Sequence, residues 1–592
     1  MRGHLQQVGS ELVSRVLRHP AGLLFLVALA VYTLTLDRSV SWWDSGEFIV
    51  TSYTLSVGHA PGAPFYQLVA HLFTLLSFGH PLWVAPLSNF LSALCGALTV
   101  SLLYLSAVLL LRSAGFGGRR AHLASAVAAL CYLFCHSAWF SAVESEVYAM
   151  AMLCCSVEVW LLLRWREDRN PRLLLLAALT AGLGICVHLM TLLVLPALMV
   201  AAMGRELRAA GYLRSHYVLP CSFFFLLGLT PYIIVPLRAA ADPPINEMGD
   251  SFAAYVRRDG YEKAPVYPRL WRDRDRANRD AWVPGDHAEP SSVVDNLAYF
   301  ATYQMGYMYG RYLVDNFFAR QNQRYGVPVF FVLPLLLSLL GIVVLWRRRR
   351  RMLLVVGLLF LFGGPLLGVY LNHPCYEPRE RDYAYLLSFY AVALLIAPGA
   401  ASMMKIEFRK WRQGRTFVVA VLLLTPLLMA VGNWGDHDRS GVHSVHDIAL
   451  NHLQSCDDDA ILLTFGDNDT FPLWYLQLVE GRRGDISIHN LNLEGYAGVA
   501  TLLAANAWQR PVYLSYYAYQ QVAPYYGDRL RCEGYCWRLL PPGTPEEIVV
   551  SRVPLQRHIA DSIRWHVTLG EYLPDPSASL LSVWQENTVE SK

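Results

Sequence analysis

The sequence has few charged residues for its length, and it lacks the motifs of several common enzyme classes. Asp, Glu, Lys and Arg make up 16% of the 592 residues and hydrophobic residues 54%, which argues against a single soluble domain. There is no CxxC pair, HExxH helix, Walker loop or GxSxG elbow, so the usual zinc, nucleotide and serine-hydrolase signatures are missing. The net charge of +3 gives no basis for a nucleic-acid site.

Long hydrophobic runs are abundant instead, and they predict a polytopic α-helical membrane protein. The first run has no small-residue cleavage pattern after it, so we interpret it as a retained helix and not as a signal peptide. We predict about 11 transmembrane helices, at residues 20–36, 82–111, 122–140, 147–163, 172–187, 189–203, 216–237, 327–346, 352–371, 384–401 and 416–433.

The charges of the connecting loops predict the orientation. Arg and Lys concentrate in the N-terminal segment and in every second connection, such as 347–351, which the positive-inside rule assigns to the cytoplasm. The opposite, extracytoplasmic face then holds the loops 37–81, 141–146, 238–326 and 372–383 and the C-terminal tail. We therefore predict a transmembrane domain over residues 1–434 and an extracytoplasmic domain over residues 435–592.

The tail changes from uniformly apolar to mixed composition. A strand at 460–464, a helix to about Glu480 and a strand at 485–489 form a βαβ pattern, so we predict an α/β domain. The turn at 466–470 (GDNDT) has the residue types of a metal site, but Asp and Asn are also favoured there for Asx turns and caps. Of the 11 cysteines, Cys532 and Cys536 share an outer segment, where a disulfide is one option.

The stretch 42–48 (WWDSGEF) is the most informative part of the first outer loop. It holds two carboxylates, Asp44 and Glu47, among aromatic residues suited to the bilayer interface. This arrangement suits chemistry on a substrate whose tail is in lipid and whose head is in water. The same spacing fits a capping box, in which Asp44 caps a helix and Glu47 reaches back to it. The following turn-rich segment 58–64 contributes one titratable imidazole, His59.

Two further outer segments carry candidate side chains. Glu144 and Glu146 lie in the loop between two apolar spans, where a short solvated acidic connection is the alternative to a binding role. The segment 303–312, which contains Arg311, has the pattern of an amphipathic aromatic segment on the membrane surface. Interface anchoring explains its aromatic residues better than direct stacking on a substrate.

The loop 372–383 places Arg379 and Arg381 on the face where short loops normally lack arginine. The planar guanidinium of arginine suits a phosphate group, and neighbouring acids would orient it. A self-neutralised cluster of ion pairs that closes the loop is the alternative.

These stretches resemble a family of polytopic glycosyltransferases of the GT-C type, which includes the animal protein O-mannosyltransferase called transmembrane protein 260 and many bacterial relatives. The sequence looks closer to the bacterial branch, because the animal protein carries a helical-repeat tail where this tail predicts α/β structure. The resemblance runs in chain order through residues 43–48, 57–64, 143–149, 308–312, 316–322, 377–383, 438–441 and 466–472.

The resemblance implies transfer of a sugar, mannose in the first instance, from a polyprenyl-phosphate donor to a Ser or Thr hydroxyl of an acceptor protein. The hydroxyl needs a carboxylate to accept its proton, and the departing lipid phosphate needs positive charge. Single displacement inverts the anomeric carbon and requires neither a metal nor another cofactor. We assign catalysis to Asp44 and Glu47. Donor and substrate binding are assigned to His59, Glu144, Glu146, Arg311, Arg379, Arg381 and Tyr383.

The same reasoning predicts an integral protein of the bacterial inner membrane, with its active site on the periplasmic face, or of the endoplasmic reticulum membrane in a eukaryote. Two other functions remain open. A transporter or flippase of lipid-linked sugars would need polar residues along a path through the bilayer, where ionisable residues are few and Glu158 is one. A non-catalytic membrane assembly factor would use the tail as a binding module and would tolerate substitution of the outer-face acids.

Overall fold

A computed structural model describes the chain over residues 20–202, 215–259, 293–321, 328–373, 379–406, 413–506, 508–526 and 529–541. Most of these residues are helical. The α-helices are α1 (Pro20–Leu34), α2 (Ser45–Thr54), α3 (Pro64–Leu75), α4 (Pro81–Ser113), α5 (Gly118–Leu133), α6 (His136–Ala142), α7 (Val147–Asp168), α8 (Arg172–Ile185), α9 (Leu195–Ala202), α10 (Ser215–Gly228), α11 (Ile234–Ala239), α12 (Phe252–Arg257), α13 (Val293–Tyr299), α14 (Arg311–Phe317), α15 (Leu333–Arg348), α16 (Arg350–Gly363), α17 (Pro365–Leu371), α18 (Leu386–Met403), α19 (Gly414–His437), α20 (Ser444–Ser455), α21 (Asp467–Leu478), α22 (Leu491–Asn506) and α23 (Tyr516–Tyr526). Short 3-10 helices cover Leu189–Val194, Thr230–Ile233 and Asp382–Tyr385, and a π-helix covers Phe300–Gly310.

The long apolar helices identify an integral membrane protein. In the described part of the chain, six helical segments are long and apolar enough to cross a membrane. Helices α5 and α6, which are bent by 66° relative to each other, make a seventh if they are counted as one span. Shorter helical segments lie at the other predicted spans, so the number 11 and the sidedness stay predictions.

One predicted span begins too early. The run predicted as a helix over 327–346 is helical from Leu333, and the residues before it form strand β2 (Pro328–Phe330), antiparallel to β1 (Ala319–Gln321). A short apolar run is compatible with either a strand or a helix, so composition alone places this boundary wrongly.

Helix α18 lies at the centre of the helix bundle. Every residue from Leu386 to Ala401 is buried, as expected for a helix that is apolar on all sides. It packs against α5, α15 and α16. The described end of the outer loop, residues 379–385, leads directly into this helix, which gives the arginines of that loop a rigid support.

The first outer loop is folded and buried. Helix α2 is buried from Ser45 to Ser52, and α3 follows it after the turn-rich segment. An isolated β-bridge between Val57 and Asn246 ties this loop to the segment 238–259. The Arg238 guanidinium reinforces the contact by donating to the Leu55 carbonyl oxygen over 2.7 Å.

The tail contains a mixed five-stranded sheet. Its strands are β3 (Ile461–Thr464), β4 (Ser487–Asn490), β5 (Val512–Leu514), β6 (Leu530–Glu533) and β7 (Cys536–Leu539), in the order β4-β3-β5-β7-β6. The first three strands of that order are parallel, and β7 runs antiparallel to both β5 and β6. The βαβ unit predicted from the sequence is therefore present as β3, α21 and β4.

The sheet is not separate from the membrane part. One hydrophobic cluster contains Ile49 of α2 and Val84 of α4 together with Leu453, Leu462 and Leu473 of the tail. Because these apolar side chains share one core, the tail packs directly on the first outer loop. This contact brings the motif at 466–470 towards Asp44.

Candidate active site

The motif around Asp44 forms a turn that leads into α2. Trp43 has a φ of 62°, and its backbone N–H donates to the Asn468 side-chain oxygen over 2.5 Å. Asp44 occupies the N-cap position, yet among the described residues its carboxylate makes no capping hydrogen bond. Glu47 binds His59 instead of reaching back to the cap. The capping-box interpretation is therefore wrong.

Glu47 and His59 form an ion pair that closes the first outer loop. One Glu47 oxygen accepts the His59 backbone N–H over 2.5 Å, and the other lies 2.5 Å from His59 Nδ1. Gly58 permits this approach, since a Cβ at that position would overlap a Glu47 carboxylate oxygen. Burial alone would lower the pKa of His59, but the charge and hydrogen bond of Glu47 raise it to about 10. His59 is therefore an imidazolium at neutral pH.

Arg379 connects the first and second outer loops, which are distant from it in the sequence. Its guanidinium donates to Asp44 Oδ2 over 3.3 Å and to Glu146 Oε1 over 2.8 Å. The same group lies over the rings of Trp43 and Tyr383, at 5.2 and 4.6 Å from their centroids. Two carboxyl groups and two aromatic faces thus hold a buried planar cation in front of α18.

The second outer loop supplies buried acids. Glu146 is 1% exposed and Glu144 is 5% exposed, so the alternative of a solvated acidic connection is wrong. Burial raises the pKa of Glu146 to about 8, outweighing the opposing charge of Arg379, and burial also raises the pKa of Glu144. Glu144 lies 3.8 Å from Arg439, which is bonded to Asp37 over 3.0 Å. Glu144 therefore helps to hold the loop against Arg439. Glu146 contacts Arg379.

Arg311 and Arg381 belong to a second group beside the first. One Arg311 nitrogen lies 2.7 and 2.9 Å from the two oxygens of Glu380, and the Tyr312 hydroxyl also donates to Glu380. The Arg381 backbone N–H donates to the Tyr312 hydroxyl oxygen over 2.9 Å, and its guanidinium donates to the Tyr383 hydroxyl over 2.7 Å. This group shares Tyr383 with the first one.

These ion pairs differ from the self-neutralised loop that the sequence left open as an alternative. Within residues 379–383, Glu380 pairs with Arg311 and Arg379 pairs with Asp44, so both partners come from distant segments. Residues 374–378 of the same predicted loop lie outside the described residues. The predicted amphipathic segment at 303–312 is largely the π-helix, in which Tyr303 and Tyr309 are buried and Tyr307 is exposed.

The tail reaches this site, which no sequence pattern indicates. A Cβ added to Gly46 would lie 2.9 Å from the Phe471 carbonyl atoms, which shows how closely α21 approaches α2. Asp467 is exposed, but desolvation by neighbouring atoms, followed by the charges of Asp44 and Glu47, raises its pKa to about 6. The turn pattern at 466–470 predicts the start of a helix but contains no signal for the partner of that helix.

Glu247 is a second residue that sequence reasoning does not single out. Its backbone N–H donates to the Val57 carbonyl oxygen over 3.0 Å, so it lies against the first outer loop. Burial and the charge of Glu47 raise the pKa of Glu247 to about 8, while His59 opposes this shift. No sequence signal marks it, because it reaches the site only through the bridge between two loops.

The acidic groups raise the question of a metal. Asp44, Glu47 and His59 place one ligand atom each within 4.8 Å of one another, a spacing that could hold a divalent cation. A metal ligand must be a neutral imidazole, so a cation at this position would have to displace the proton that Glu47 stabilises on His59. His59 and Arg379 are the two basic side chains that contact these acids.

Asp44 is more accessible than Glu47 and Glu146, the two acids nearest to it in this cluster. Its side chain is 21% exposed, against 1% for both Glu47 and Glu146. The Arg379 guanidinium lies directly behind it. In such a pair the accessible carboxylate can accept a proton, and the guanidinium behind it can bind an anion.

Two domains of known proteins match this chain. Residues 44–209 match the family described as Protein O-mannosyl-transferase TMEM260 N-terminal domain, and residues 445–496 match TMEM260-associated domain 2. A relative from Mus musculus named Protein O-mannosyl-transferase TMEM260 is 29% identical over 224 residues, which are 36% of this chain and 30% of that protein. A relative of the same name from Dictyostelium discoideum is 22% identical over 513 residues, 80% of this chain and 57% of that protein. The chain thus spans less than two thirds of the length of either relative.

The solved structures of ArnT from Cupriavidus metallidurans have a similar fold. The apo form gives a TM-score of 0.52 at 13% identity over 87% of this chain and 97% of that one, and the form bound to undecaprenyl phosphate gives 0.50. This likeness establishes a GT-C membrane fold. On that fold, residues 44–209 resemble the N-terminal domain of the TMEM260 protein O-mannosyl-transferase family, and residues 445–496 resemble its associated domain 2.

Proposed function

We propose that this chain is a membrane glycosyltransferase that moves a sugar, mannose in the first instance, from a polyprenyl-phosphate donor to a Ser or Thr hydroxyl of an acceptor protein. The observation that carries the proposal is the ion pair between Asp44 and Arg379, which joins a potential base to a potential phosphate ligand. The names of the relatives and the undecaprenyl phosphate bound to ArnT support the same class of reaction.

Asp44 is the proton acceptor in this scheme. A Ser or Thr hydroxyl is a weak nucleophile near neutral pH, so a carboxylate takes its proton as the oxygen attacks the anomeric carbon. The bond from that carbon to the phosphate oxygen breaks on the opposite face, and the polyprenyl phosphate leaves with the electron pair. This single displacement inverts the anomeric centre, and a phosphate leaving group needs no general acid.

Arg379 binds the donor phosphate and stabilises the charge that develops on it. Glu146 orients the guanidinium from behind. Burial raises the pKa of Glu146, and the charge of Arg379 opposes this shift. Donor binding would then weaken the longer contact, 3.3 Å from Arg379 to Asp44, and free Asp44 for the acceptor hydroxyl.

Glu47 takes a positioning role in this scheme instead of the catalytic role that the sequence suggests. Both of its oxygens are engaged by His59, which fixes the turn carrying His59 against α2. The protonated imidazole also compensates the nearby acids, so the reaction is proposed to proceed without a metal ion. Arg311, Arg381 and Tyr383 would hold the loop around Arg379.

The tail forms one side of this site, where it would position the acceptor. The first turn of α21 packs on α2, and Asn468 binds the Trp43 backbone N–H. We place this face of the protein, with the C-terminal tail, on the extracytoplasmic side of the membrane in an 11-helix topology. The compartment would be the bacterial periplasm or the lumen of the endoplasmic reticulum.

A transfer assay tests the proposal. The purified full-length chain is offered several polyprenyl-phosphate sugars and an acceptor protein, with and without a chelator, and the anomeric configuration of the product is determined. We expect transfer from the mannose donor with inversion, at the same rate in the chelator. Movement of lipid-linked sugar across proteoliposomes without transfer from any donor would favour the flippase instead, and loss of transfer in the chelator would overturn the metal-free scheme.

A further inference from the structure

Two buried cysteines meet at the edge of the C-terminal sheet. The thiols of Cys456 and Cys536 both donate to the backbone carbonyl oxygen of His452, over 3.4 and 3.5 Å respectively. Cys456 directly follows α20, and Cys536 is the first residue of β7. The two thiols also interact with each other through a side-chain hydrogen bond.

The register of the last hairpin separates Cys532 from Cys536. Cys532 pairs with Trp537, and Glu533 pairs with Cys536. Because successive side chains of a strand point to opposite faces, Cys532 and Cys536 lie on different faces of the sheet. Cys536 accordingly belongs to the hydrophobic cluster that contains Cys456, whereas Cys532 packs against the cluster on the other face. The bridge that the sequence leaves open does not fit this register.

We propose that Cys456 and Cys536 form a disulfide in the mature protein. This bridge goes beyond the transferase activity and rests on the proposed extracytoplasmic position of the tail, because disulfides persist in oxidising compartments. One thiolate attacks the disulfide of a thiol oxidoreductase, and the second thiolate then attacks the mixed disulfide. The two cysteines lose two protons and two electrons, and the oxidoreductase disulfide accepts the electrons and leaves as a dithiol.

The bridge has to form while the hairpin is still open. Cys536 is fully buried in the folded chain, and burial, assisted by Cys456, raises the pKa of its thiol. The reactive thiolate is therefore scarce after folding, and the oxidoreductase has no access to the sulfur. Once formed, the bond fastens the hairpin 530–539 to α20. Helix α20 packs on α21, which begins at the active site.

The test identifies the bridged peptides in the full-length protein. Membranes are denatured in the presence of an alkylating reagent, so that buried thiols are also modified, and are then digested without reduction and analysed by mass spectrometry. We expect a Cys456–Cys536 peptide pair in the wild type and in the matched control Cys532→Ser. The pair should be absent from Cys456→Ser and from any reduced sample. Alkylated Cys456 and Cys536 in the unreduced wild type, or a bridge that contains Cys532, would overturn the proposal.

Reduction provides a second readout. A reductant should lower the Tm of the wild type and of Cys532→Ser by on the order of 5–10 °C, and it should leave the Tm of Cys456→Ser unchanged. Equal Tm values of the wild type and Cys456→Ser without reductant would contradict the bridge. A reporter placed after residue 541 shows in parallel on which side of the membrane the tail lies. Free thiols on an extracytoplasmic tail would refute the bridge alone. Free thiols on a cytoplasmic tail would refute the predicted topology as well. The transferase activity is decided separately, by the assay with purified protein.

Discussion

Arg379 Nη1 and Asp44 Oδ2 are 3.3 Å apart, although 335 residues separate them in the chain. Arg379 makes a shorter contact, 2.8 Å, with Glu146. A buried guanidinium with one close and one longer carboxyl partner can exchange the longer one for a phosphate oxygen and keep its orientation. This difference in distance is the basis for the roles assigned to the two acids.

Binding of the donor phosphate should depend on Arg379. Losing a charge-assisted hydrogen bond costs about 1.5–3 kcal/mol, so Arg379→Ala is expected to weaken donor binding about 10–100-fold. Arg379→Lys should restore part of it, because an ammonium keeps the charge without the planar fork. Arg381→Ala serves as the control, with a smaller expected effect, since the Arg381 guanidinium is bonded to the Tyr383 hydroxyl. Titration of the purified variants with a polyprenyl-phosphate sugar gives the Kd, and an unchanged Kd in folded Arg379→Ala would refute the role.

The sequence predicts most of the helices and strands of this fold, and it identifies side chains of the site. It does not predict which of these side chains contact each other. Hydrophobic runs place α4, α7 and α18, and period and turn residues place β3 and the start of α21, because these depend on local pattern. The contacts of Asp44 with Arg379 and of Glu47 with His59 depend on how loops from different spans meet. No local sequence pattern specifies which of these loops contact each other. The burial of Glu144 is hidden for the same reason, since its covering partner Arg439 comes from a distant segment.

The Glu47–His59 pair should make stability depend on pH. The pKa of His59 is raised from 6.5 to about 10, so the stabilisation is complete below about pH 6.5 and is lost as the pH rises towards 10. The Tm of the wild type should exceed that of His59→Gln near pH 6, and the two values should converge near pH 10. Thermal unfolding of both proteins across this range is the measurement. A difference that stays constant would mean that His59 is uncharged in the folded protein.

The contact between α2 and α21 should be sensitive to a single methyl group. A Cβ at Gly46 would lie 2.9 Å from the backbone of Phe471, whereas a Cβ at Gly441 meets nothing within 4 Å among the described residues. We expect Gly46→Ala to push α21 away and to lower transfer to the acceptor by at least about tenfold, because misplacement by about 1 Å can cost that much. Gly441→Ala should behave as the wild type. Comparable transfer rates for the two variants would argue against a role of the tail in the site.

The arginine-rich loop Arg347–Arg351 should face the cytoplasm and the tail the opposite side. The positive-inside rule gives this orientation, and all assigned site residues then fall on one face. Protease protection of sealed vesicles, with reporters at residues 348 and 541, measures it. A tail that is cleaved only from the cytoplasmic side would place the Asp44 loop on the wrong side for a lipid donor presented outside.

Asp44→Asn should separate proton acceptance from structure. Asn has nearly the same size as Asp and can still accept a hydrogen bond from Arg379, but it cannot accept a proton from the substrate hydroxyl. Since Asp44 makes no capping hydrogen bond in the described chain, the substitution should not destabilise α2. Loss of a general base commonly lowers a rate about 10²–10⁴-fold, so the variant should bind donor and turn over at no more than about 1% of the wild-type rate.

Asp467→Asn is the matched comparison for this variant. Asp467 is exposed beside the same cluster. Desolvation together with the charges of Asp44 and Glu47 raises its pKa to about 6, which makes it the competing candidate for the base. If Asp44 is the proton acceptor, Asp467→Asn retains most of the transfer rate while Asp44→Asn loses it, with Tm and donor Kd similar in both. The reverse order of rates would move the base from the first outer loop to the tail, and Asp44 would then serve to hold Arg379 in place.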